Sequence, residues 1–325
     1  MKKILLAPVS NLFPLVRLLP LVLLLASACS VESPGPVEPD QTAMGSDGKA
    51  SVQVVIYSVN YPLAWVAQEL VGESAQVVFP APEGEDPAFW RPDAETVVGF
   101  QGADLILLNG ADYARWISQV SLPHSRLLDT SAGLDTPLIH VDSGPMHSHG
   151  PGGEHSHGEL AFTLWLDLEI FAHQLRVVAA ALQGLLPAEA ELIQEREEAM
   201  LLEIADLDSD LRELAKQLAG APVFYSHPVY QYLQRAYGLN GRAMHWEPGQ
   251  DPGAEGWSEF DHLLGHHRGH LMFWEDEPLS EVRAALAERG VEIVVFRPMG
   301  NRPDSGDFLT GMRENVHNLA NYLKP

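Results

Sequence analysis

The chain has 325 residues, of which 46% are hydrophobic and 20% are charged, a size and composition that suit two domains of ordinary length. Its formal net charge of −24 argues against nucleic acid and anionic membrane surfaces as partners and in favour of cations.

The N-terminus has the pattern of an export signal. Lys2 and Lys3 precede an apolar segment at residues 18–25, and residues 25–29 read LASAC. This ending resembles a bacterial lipobox, in which Cys29 becomes the lipidated first residue of the mature protein. The alternative is an ordinary signal peptide followed by a chance cysteine, but Cys29 is the only cysteine in the chain and lies at the cleavage point.

Domain boundaries follow from composition. Residues 1–28 form the predicted signal peptide, and residues 29–50, rich in Pro, Gly, Ser and acidic residues, form a flexible tether. We then expect an N-terminal α/β lobe at 51–186, a linking helix at 187–219 and a C-terminal α/β lobe at 220–325. The fold class is α/β, with two lobes of mainly parallel sheet joined by a long helix.

Strands alternate with helices along the first lobe, which indicates βαβ units and a parallel sheet. The elements predicted there are a strand at 52–59, a helix at 61–71, a strand at 76–79, a helix at 93–100, a strand at 103–108, a helix at 113–120, short strands at 127–128 and 138–139, and a helix at 168–185.

Residues 140–158, HVDSGPMHSHGPGGEHSHG, have no apolar periodicity and are rich in histidine. In an extended chain, residues two apart point the same way, so each H-x-H pair offers two imidazoles to one ion. Neutral imidazole binds zinc, copper, nickel or cobalt. We predict a mobile, accessory metal-collecting loop; a solvated linker is the alternative. Its histidines are His140, His147, His149, His155 and His157.

The segment 188–219 has an apolar heptad pattern. Ile193, Met200, Leu207 and Leu214 recur every seven residues, with Glu and Arg on the other faces. A coiled-coil dimer is one interpretation and a single helix spanning two lobes is the other. We expect a monomer.

The second half repeats the alternation of strands and helices. Its predicted elements are strands at 222–226, 243–246, 271–274 and 291–296, and helices at 229–237, 257–266, 279–290 and 308–323. One of these segments, DHLLGHHRGH, places His262, His266 and His270 on one face if a helix continues through it. Gly265 and Gly269 oppose that continuation, which favours a solvated, weakly chelating surface over a specific site.

These segments together resemble the solute-binding proteins of bacterial zinc and manganese ABC transporters over roughly residues 52–325. The segments that carry the resemblance are the lipobox, EDPAFWRPDAETVVGFQGADLILLNG, the His-rich loop before LAFTLWLDLEI, the long helix, VFYSHPVYQYLQRAYGLNG and VVFRPMGNRPDSGDFLTGMRENVHNLANYL. The resemblance implies two α/β lobes, a rigid linking helix and a metal ion between the lobes. An enzyme is disfavoured, because the chain has no G-x-G-x-x-G, Walker loop, G-x-S-x-G or H-E-x-x-H.

In that family two histidines of the first lobe, a His or Glu of the second lobe and an Asp of the second lobe hold the metal. His227 matches the third ligand. Asp86 occupies the position of the first histidine, and Asp is an acceptable zinc ligand at about 2.0–2.2 Å. Thr163 replaces the second histidine and Arg297 replaces the Asp, where a fixed positive charge opposes a dication.

Arg297 allows three interpretations. It pairs with Asp86 or Glu85 and closes a metal-free cleft; it pairs with other carboxylates while substitute ligands take the ion; or the cleft binds an anion or a metal complex through the guanidinium. The substitute ligands are His245, Glu247 and Glu275, all near predicted strand ends, where α/β clefts collect ligands. The alternatives are a helix cap or loop salt bridge for Glu275, and a partly buried structural histidine for His245.

The sequence therefore predicts a non-enzymatic, membrane-anchored lipoprotein facing the periplasm or the cell exterior. It would bind a metal ion, zinc foremost and manganese as the alternative, and deliver it to an ABC permease. A different class of function is a metal buffer or chaperone that uses its His-rich loop, or a protein whose remodelled cleft binds another ligand. A metal-dependent hydrolase comes third.

Overall fold

The structure, a computed structural model, describes residues 53–141, 147–148, 154–155 and 160–324. The predicted signal, lipidation site and tether lie outside these residues. So do His149 and His157, and only the backbone is described at His147 and His155.

The first sheet is parallel, and its four strands lie in the order β2 (Ala75–Val78), β1 (Val54–Ser58), β3 (Leu105–Leu108) and β4 (Leu127–Asp129). The β-branched run that forms the inner strand β1 is buried at Ile56 and Ser58 and half-buried at its other residues, as in sheets covered by helices. The helices between these strands are α1 (Tyr61–Val71) and α2 (Ala94–Gly102).

The ends of helix α1 are set by local sequence signals. Asn60 caps its N-terminus by accepting a hydrogen bond from the Leu63 amide at 3.2 Å, and Pro62 occupies its first turn. Gly72, with φ of 56°, ends it. The helix spans Tyr61–Val71, and its apolar residues are buried. The predicted helix at 61–71 is therefore confirmed.

Two predictions in the first lobe were wrong. The segment predicted as a helix at 113–120 contains a short 3₁₀ helix, Arg115–Gln119, because Ala111 and Asp112 both adopt positive φ and interrupt a helical entry. Residues 138–139 form no strand; instead His140 makes an isolated antiparallel bridge with Leu160. Between these two residues, β5 (His147–Ser148) pairs antiparallel with β6 (Glu154–His155).

Two long helices follow, α3 (Leu168–Leu185) and α4 (Ala190–Leu218), separated by a 3₁₀ turn at Pro187–Glu189. At about 1.5 Å per residue, α4 is about 44 Å long. Its apolar heptad seam is covered by helices of its own chain, since α4 packs on α1 and α3 and on two helices of the second lobe. The seam therefore needs no second copy, and the linking-helix interpretation holds in place of the coiled coil.

The second sheet is also parallel, and its four strands lie in the order β10 (Glu292–Val295), β9 (Leu271–Trp274), β7 (Pro222–Tyr225) and β8 (Asn240–Ala243). The helices of this lobe are α5 (Gln231–Tyr237), α6 (Gly253–His267), α7 (Ser280–Glu288) and α8 (Phe308–Tyr322).

Strand β8 begins and ends three residues earlier than the sequence predicted. Gly241 lies against the ring of Tyr225, where a Cβ would overlap the ring, so this edge strand pairs through a residue that strand propensity disfavours. The predicted strand at 243–246 is therefore wrong. The backbone there still follows the sheet, because the Met244 and Trp246 amides donate to Tyr225 and Ser226 carbonyls at 2.8 Å.

The two lobes share one apolar core. Trp65 of α1, Phe171 of α3 and Phe308 of α8 pack together, with ring centroids 4.7–6.4 Å apart. The same buried cluster includes residues of both sheets and the inner face of α4. A smaller core around Trp246 and Trp274 belongs to the second lobe alone. In the described part of the chain, no helix has the length and hydropathy needed to cross a membrane.

Candidate metal site

Histidine and glutamate side chains gather at one edge of the second sheet. His227 follows β7, His245 and Glu247 follow β8, and Glu275 follows β9 directly. These three strands are neighbours and run parallel, so their carboxyl ends meet at the same edge. We call these four residues the His227 cluster.

His227 is the centre of this cluster. Its side chain is 3% exposed, and its Nδ1 lies 3.1 Å from Oε1 of Glu275 and 3.9 Å from Oε1 of Glu247. The ring of His245 stands edge-on to it, with centroids 5.9 Å apart. Both glutamates are about one-fifth exposed, so the cluster opens to solvent on the carboxylate side.

The donors are those that zinc prefers: two imidazoles and two carboxylates. The Nδ1 of His227 lies 3.1 Å from Glu275 Oε1, a distance of an ion-pair contact, whereas zinc needs its ligand atoms at about 2.0–2.2 Å from the ion. Within the residues that the structure describes, no three His, Cys, Asp or Glu side chains are placed so that they could hold an ion as they stand. An ion would have to take the place of the contact between His227 and Glu275.

Aromatic rings form the floor beneath the cluster. Tyr225, Tyr230, Phe273 and Phe296 pack with centroids 5.1–6.1 Å apart, and the Tyr230 hydroxyl donates to the Phe296 carbonyl at 2.6 Å. Burial raises the pKa of Tyr230 well above its ordinary value, and the Glu275 carboxylate raises it further. The phenol therefore stays neutral, and the low dielectric of this floor strengthens charge interactions in the cluster.

Asp86 lies in the first lobe, in a turn of its own. Its Oδ1 accepts from the Ala88 amide at 2.9 Å, and its carbonyl accepts from the Trp90 amide at 2.9 Å. The side chain is exposed, and its charge acts on the buried hydroxyl of Tyr113. The sequence-predicted ligands thus divide into His227, His245 and Glu275, which come together in one lobe, and Asp86, which belongs to the other.

Tyr113 beside Asp86 was not predicted as a site residue. Burial raises its pKa well above the ordinary value, and Asp86 raises it further. Its hydroxyl has no hydrogen-bond partner among the described residues, and its ring packs edge-on against Phe162 and Trp165. The sequence pattern places Tyr113 in a predicted helix. The nearby Asn109-Gly110 turn is the one sequence signal that argues against that helix.

Thr163, predicted from the sequence to occupy the position of a family histidine, makes a structural contact. It is 3% exposed, and its Oγ1 donates to the Val229 carbonyl at 2.5 Å. The Val229 amide in turn donates to the His227 carbonyl at 2.9 Å. The hydroxyl therefore ties the first lobe to the backbone beside His227.

Arg297 turns towards carboxylates of its own lobe. Its Nε donates to Oδ1 of Asp276 at 2.9 Å, and its Nη1 lies 3.5 Å from Oε2 of Glu314. Pairing with Asp86 or Glu85, the first of the three interpretations, is therefore wrong. The second interpretation, pairing with other carboxylates, describes this side chain.

The segment after β10 joins the two lobes across the cleft. Asn301 donates through Nδ2 to the carbonyls of Pro82 and Glu85, both at 2.7 Å. Arg302 donates to the Phe79 carbonyl at 2.6 Å and stacks on the Phe79 ring. These contacts hold the turn that precedes Asp86 against the second lobe. Sequence reasoning missed them, because GNRP reads only as an irregular loop.

Two parallel α/β lobes joined by a rigid helix, with histidine and carboxylate donors at the strand ends of the cleft, define a metal-type solute-binding protein. Residues 56–322 match the family model described as zinc-uptake complex component A, periplasmic, and the chain belongs to this family. The family is a solute-binding, non-enzymatic component of metal transport. The predicted family resemblance, the fold class and the absence of an enzymatic role are thereby confirmed.

Known proteins similar to this chain include the zinc-binding lipoprotein AdcA of Streptococcus pneumoniae (strain ATCC BAA-255 / R6), 22% identical over 281 residues. That match covers 85% of this chain and 54% of AdcA, so the chain spans about half the length of the curated relatives it matches.

Similar solved structures have the same fold. The metal-dependent lipoprotein YcdH of Bacillus subtilis gives a TM-score of 0.70 at 19% identity, covering 83% of this chain and 99% of that one. The Zn(II)-bound ZnuA-like domain of Streptococcus pneumoniae AdcA gives 0.70 at 18% identity, covering 83% and 98%.

Proposed function

We propose that this protein captures zinc at the His227 cluster and delivers it to an ABC permease. Membership of a zinc-uptake family supports the ion, and the relative AdcA is named as zinc-binding. The observation that carries the proposal is the buried His227, with Nδ1 3.1 Å from Glu275 and a second imidazole and a second carboxylate beside it. Asp86 would complete the site from the first lobe.

Binding would exchange a proton for an ion. In the structure the Nδ1 of His227 faces two carboxylates, an arrangement that a proton on the ring would stabilise. Zinc would displace that proton and draw Nδ1 and the carboxylate oxygens to itself, since metal ligands must be deprotonated. Two glutamates supply the negative charge that balances the dication. Zinc affinity should therefore fall as the solution becomes more acidic.

The donor types favour zinc over manganese. Imidazole suits zinc, whereas manganese prefers carboxylate, carbonyl and water oxygens. His227 and His245 together supply two nitrogens. A titration with manganese should therefore give weaker binding than one with zinc.

Release would depend on the joint between the lobes. This joint includes the contacts of Asn301 and Arg302 with the first lobe and the bond from Trp165 Nε1 to the Pro298 carbonyl at 2.6 Å. Docking on a permease would loosen this joint and expose the ion. The word periplasmic in the family description supports export, and the lipoprotein relatives support anchoring through Cys29.

The His-rich loop would collect zinc for the cleft. Its base is fixed where the Ala161 amide donates to the Ile139 carbonyl at 2.9 Å, next to the bridge between His140 and Leu160. His140 is exposed at this base. The loop therefore starts from the first lobe as an accessory, while the cleft retains the ion.

The direct test is calorimetric titration of zinc into wild type, His227→Ala and a matched control, His317→Ala. His317 is an exposed histidine on α8, outside the cluster. We expect the tight site to disappear in His227→Ala and to persist in the control. Unchanged tight binding in His227→Ala would show that the cleft is not the site.

A second candidate function is a metal buffer that binds only through the His-rich loop. Two residues of the cleft favour this function. The Thr163 hydroxyl already donates to the Val229 carbonyl, and Arg297 occupies the predicted position of an acidic ligand. The two functions differ in where stoichiometric zinc binds. Removal of the loop separates them.

A further inference from the structure

Helix α6 brings two histidines together on the surface of the second lobe. The helix continues through Gly265 to His267, so His262 and His266 lie one turn apart on the same face. Their ring centroids are 4.8 Å apart at an interplanar angle of 68°, and both side chains are exposed. His270 lies beyond the end of the helix and donates through Nδ1 to the Gly290 carbonyl at 3.0 Å, so it is not part of this pair.

The backbone that carries the pair is fixed to the sheet. His267, the last residue of α6, contacts the carbonyls of Val223 and Asn240 through Nε2, at 2.9 and 3.1 Å. Its ring also stands edge-on to Phe224, with centroids 5.2 Å apart. The two imidazoles of the pair therefore project from a helix end whose position is set by the sheet, which lowers the cost of ordering them around a ligand.

The local charges favour a cation. The pair occupies the C-terminal part of α6, where the helix dipole is negative. Glu255 and Glu259, seven and three residues before His262, are exposed on the same stripe of the helix. Arg289, a cation nearby, is held by Asp261 at 2.7 Å and stacks on Trp257. Its charge is thereby offset.

We propose that His262 and His266 form a second, bidentate metal site for zinc or copper(II), separate from the His227 cluster. Each imidazole would donate one ring nitrogen to the same ion, and water molecules would complete the coordination. Imidazole pairs bind copper(II) more strongly than zinc. The site stands at the surface, so it would exchange ions rapidly and would hold them less tightly than the buried cleft.

The test is histidine footprinting of the full-length protein with diethyl pyrocarbonate, which acylates accessible neutral imidazole, read residue by residue by mass spectrometry with and without Zn²⁺. We expect Zn²⁺ to slow the modification of His262 and His266 together. In His262→Ala, and likewise in His262→Gln, the protection of His266 should be lost. Alanine and glutamine both favour helix, so α6 should remain folded.

His317 is the internal control, because its neighbours four residues away on α8 are Arg313 and Asn321, and Glu314, three residues before it, is paired with Arg297 at 3.5 Å. Its modification should not respond to Zn²⁺. Absence of protection at the pair, or protection of His266 that survives in both His262 variants, would overturn the proposal. Repeating the experiment in His227→Ala separates the two sites: the pair should stay protected whether or not the cleft binds zinc.

Discussion

The guanidinium of Arg297 donates through Nε to Oδ1 of Asp276 at 2.9 Å, and Glu314 lies 3.5 Å from its Nη1. The positive charge of Arg297, predicted from the sequence to occupy the position of an acidic ligand, is thus paired with two carboxylates of the same lobe. These carboxylates are more than half exposed, so the group lies at the solvent-facing rim. The charge of Arg297 is therefore offset within its own lobe, as the proposed metal site at the His227 cluster requires.

Replacing Arg297 with Gln should leave zinc stoichiometry unchanged and alter the free energy of unfolding by less than about 1 kcal/mol, as is typical of exposed ion pairs. Calorimetry with zinc and urea unfolding check both. Arg313→Gln is the matched control, because Arg313 forms an exposed pair with Glu203 at 2.7 Å. Loss of stoichiometric zinc in Arg297→Gln alone would mean that the guanidinium belongs to the binding site.

Replacing Thr163 with Val should lower the free energy of unfolding by about 1–3 kcal/mol, because the Val229 carbonyl loses its buried donor while the side-chain shape is kept. Thr163→Ser, which keeps the hydroxyl, should lose less. Urea unfolding measures both. Equal stability of Thr163→Val and wild type would show that this hydrogen bond does not hold the lobes beside His227.

Replacing Tyr113 with Phe should leave stability unchanged or raise it by about 1 kcal/mol, because the buried hydroxyl finds no partner in the described part of the chain. Since burial raises the pKa of Tyr113, the folded state binds the proton more tightly than the unfolded chain. As the pH rises above ~10, wild type loses this contribution to its free energy of unfolding. The free energy of unfolding of Tyr113→Phe should therefore decrease less steeply with pH.

The control for this prediction is Tyr232→Phe. The Tyr232 hydroxyl accepts a hydrogen bond from the Ile139 amide at 3.2 Å, so its removal should destabilise the protein. If Tyr113→Phe instead weakens zinc binding at unchanged stability, then the Tyr113 hydroxyl serves the metal site together with Asp86.

Deletion of residues 143–158 should weaken zinc uptake when the metal is scarce and leave the tight cleft site intact. The reason is that the His227 cluster is built entirely from residues of the second lobe, far along the chain from the loop. Titration of the purified variant with zinc, beside an uptake assay in cells, checks both statements. Disappearance of all stoichiometric binding would favour the buffer function.

The fold could be predicted where local sequence sets the structure. The helices at 61–71 and 168–185 coincide with α1 and α3, because caps and apolar spacing fix their ends. Prediction failed where neighbours decide. Ala111 and Asp112 adopt positive φ, which their residue types disfavour, and β8 places Gly241 in close approach to Tyr225.

The same division applies to the site. That His227 and Glu275 would meet follows from their positions after parallel strands, since such strand ends share one edge. The partners of Arg297 could not be predicted, because they depend on the direction of a long flexible side chain. The bonds from Asn301 to Pro82 and Glu85 join residues more than two hundred positions apart and arise only when the lobes dock.

The most direct test is a crystal structure of the zinc-loaded protein with anomalous difference maps recorded on both sides of the zinc absorption edge. We expect a zinc peak about 2.0–2.2 Å from a ring nitrogen of His227 and a carboxylate oxygen of Glu275. A map in which zinc occupies other histidines, while His227 and Glu275 keep their 3.1 Å contact undisturbed, would contradict it.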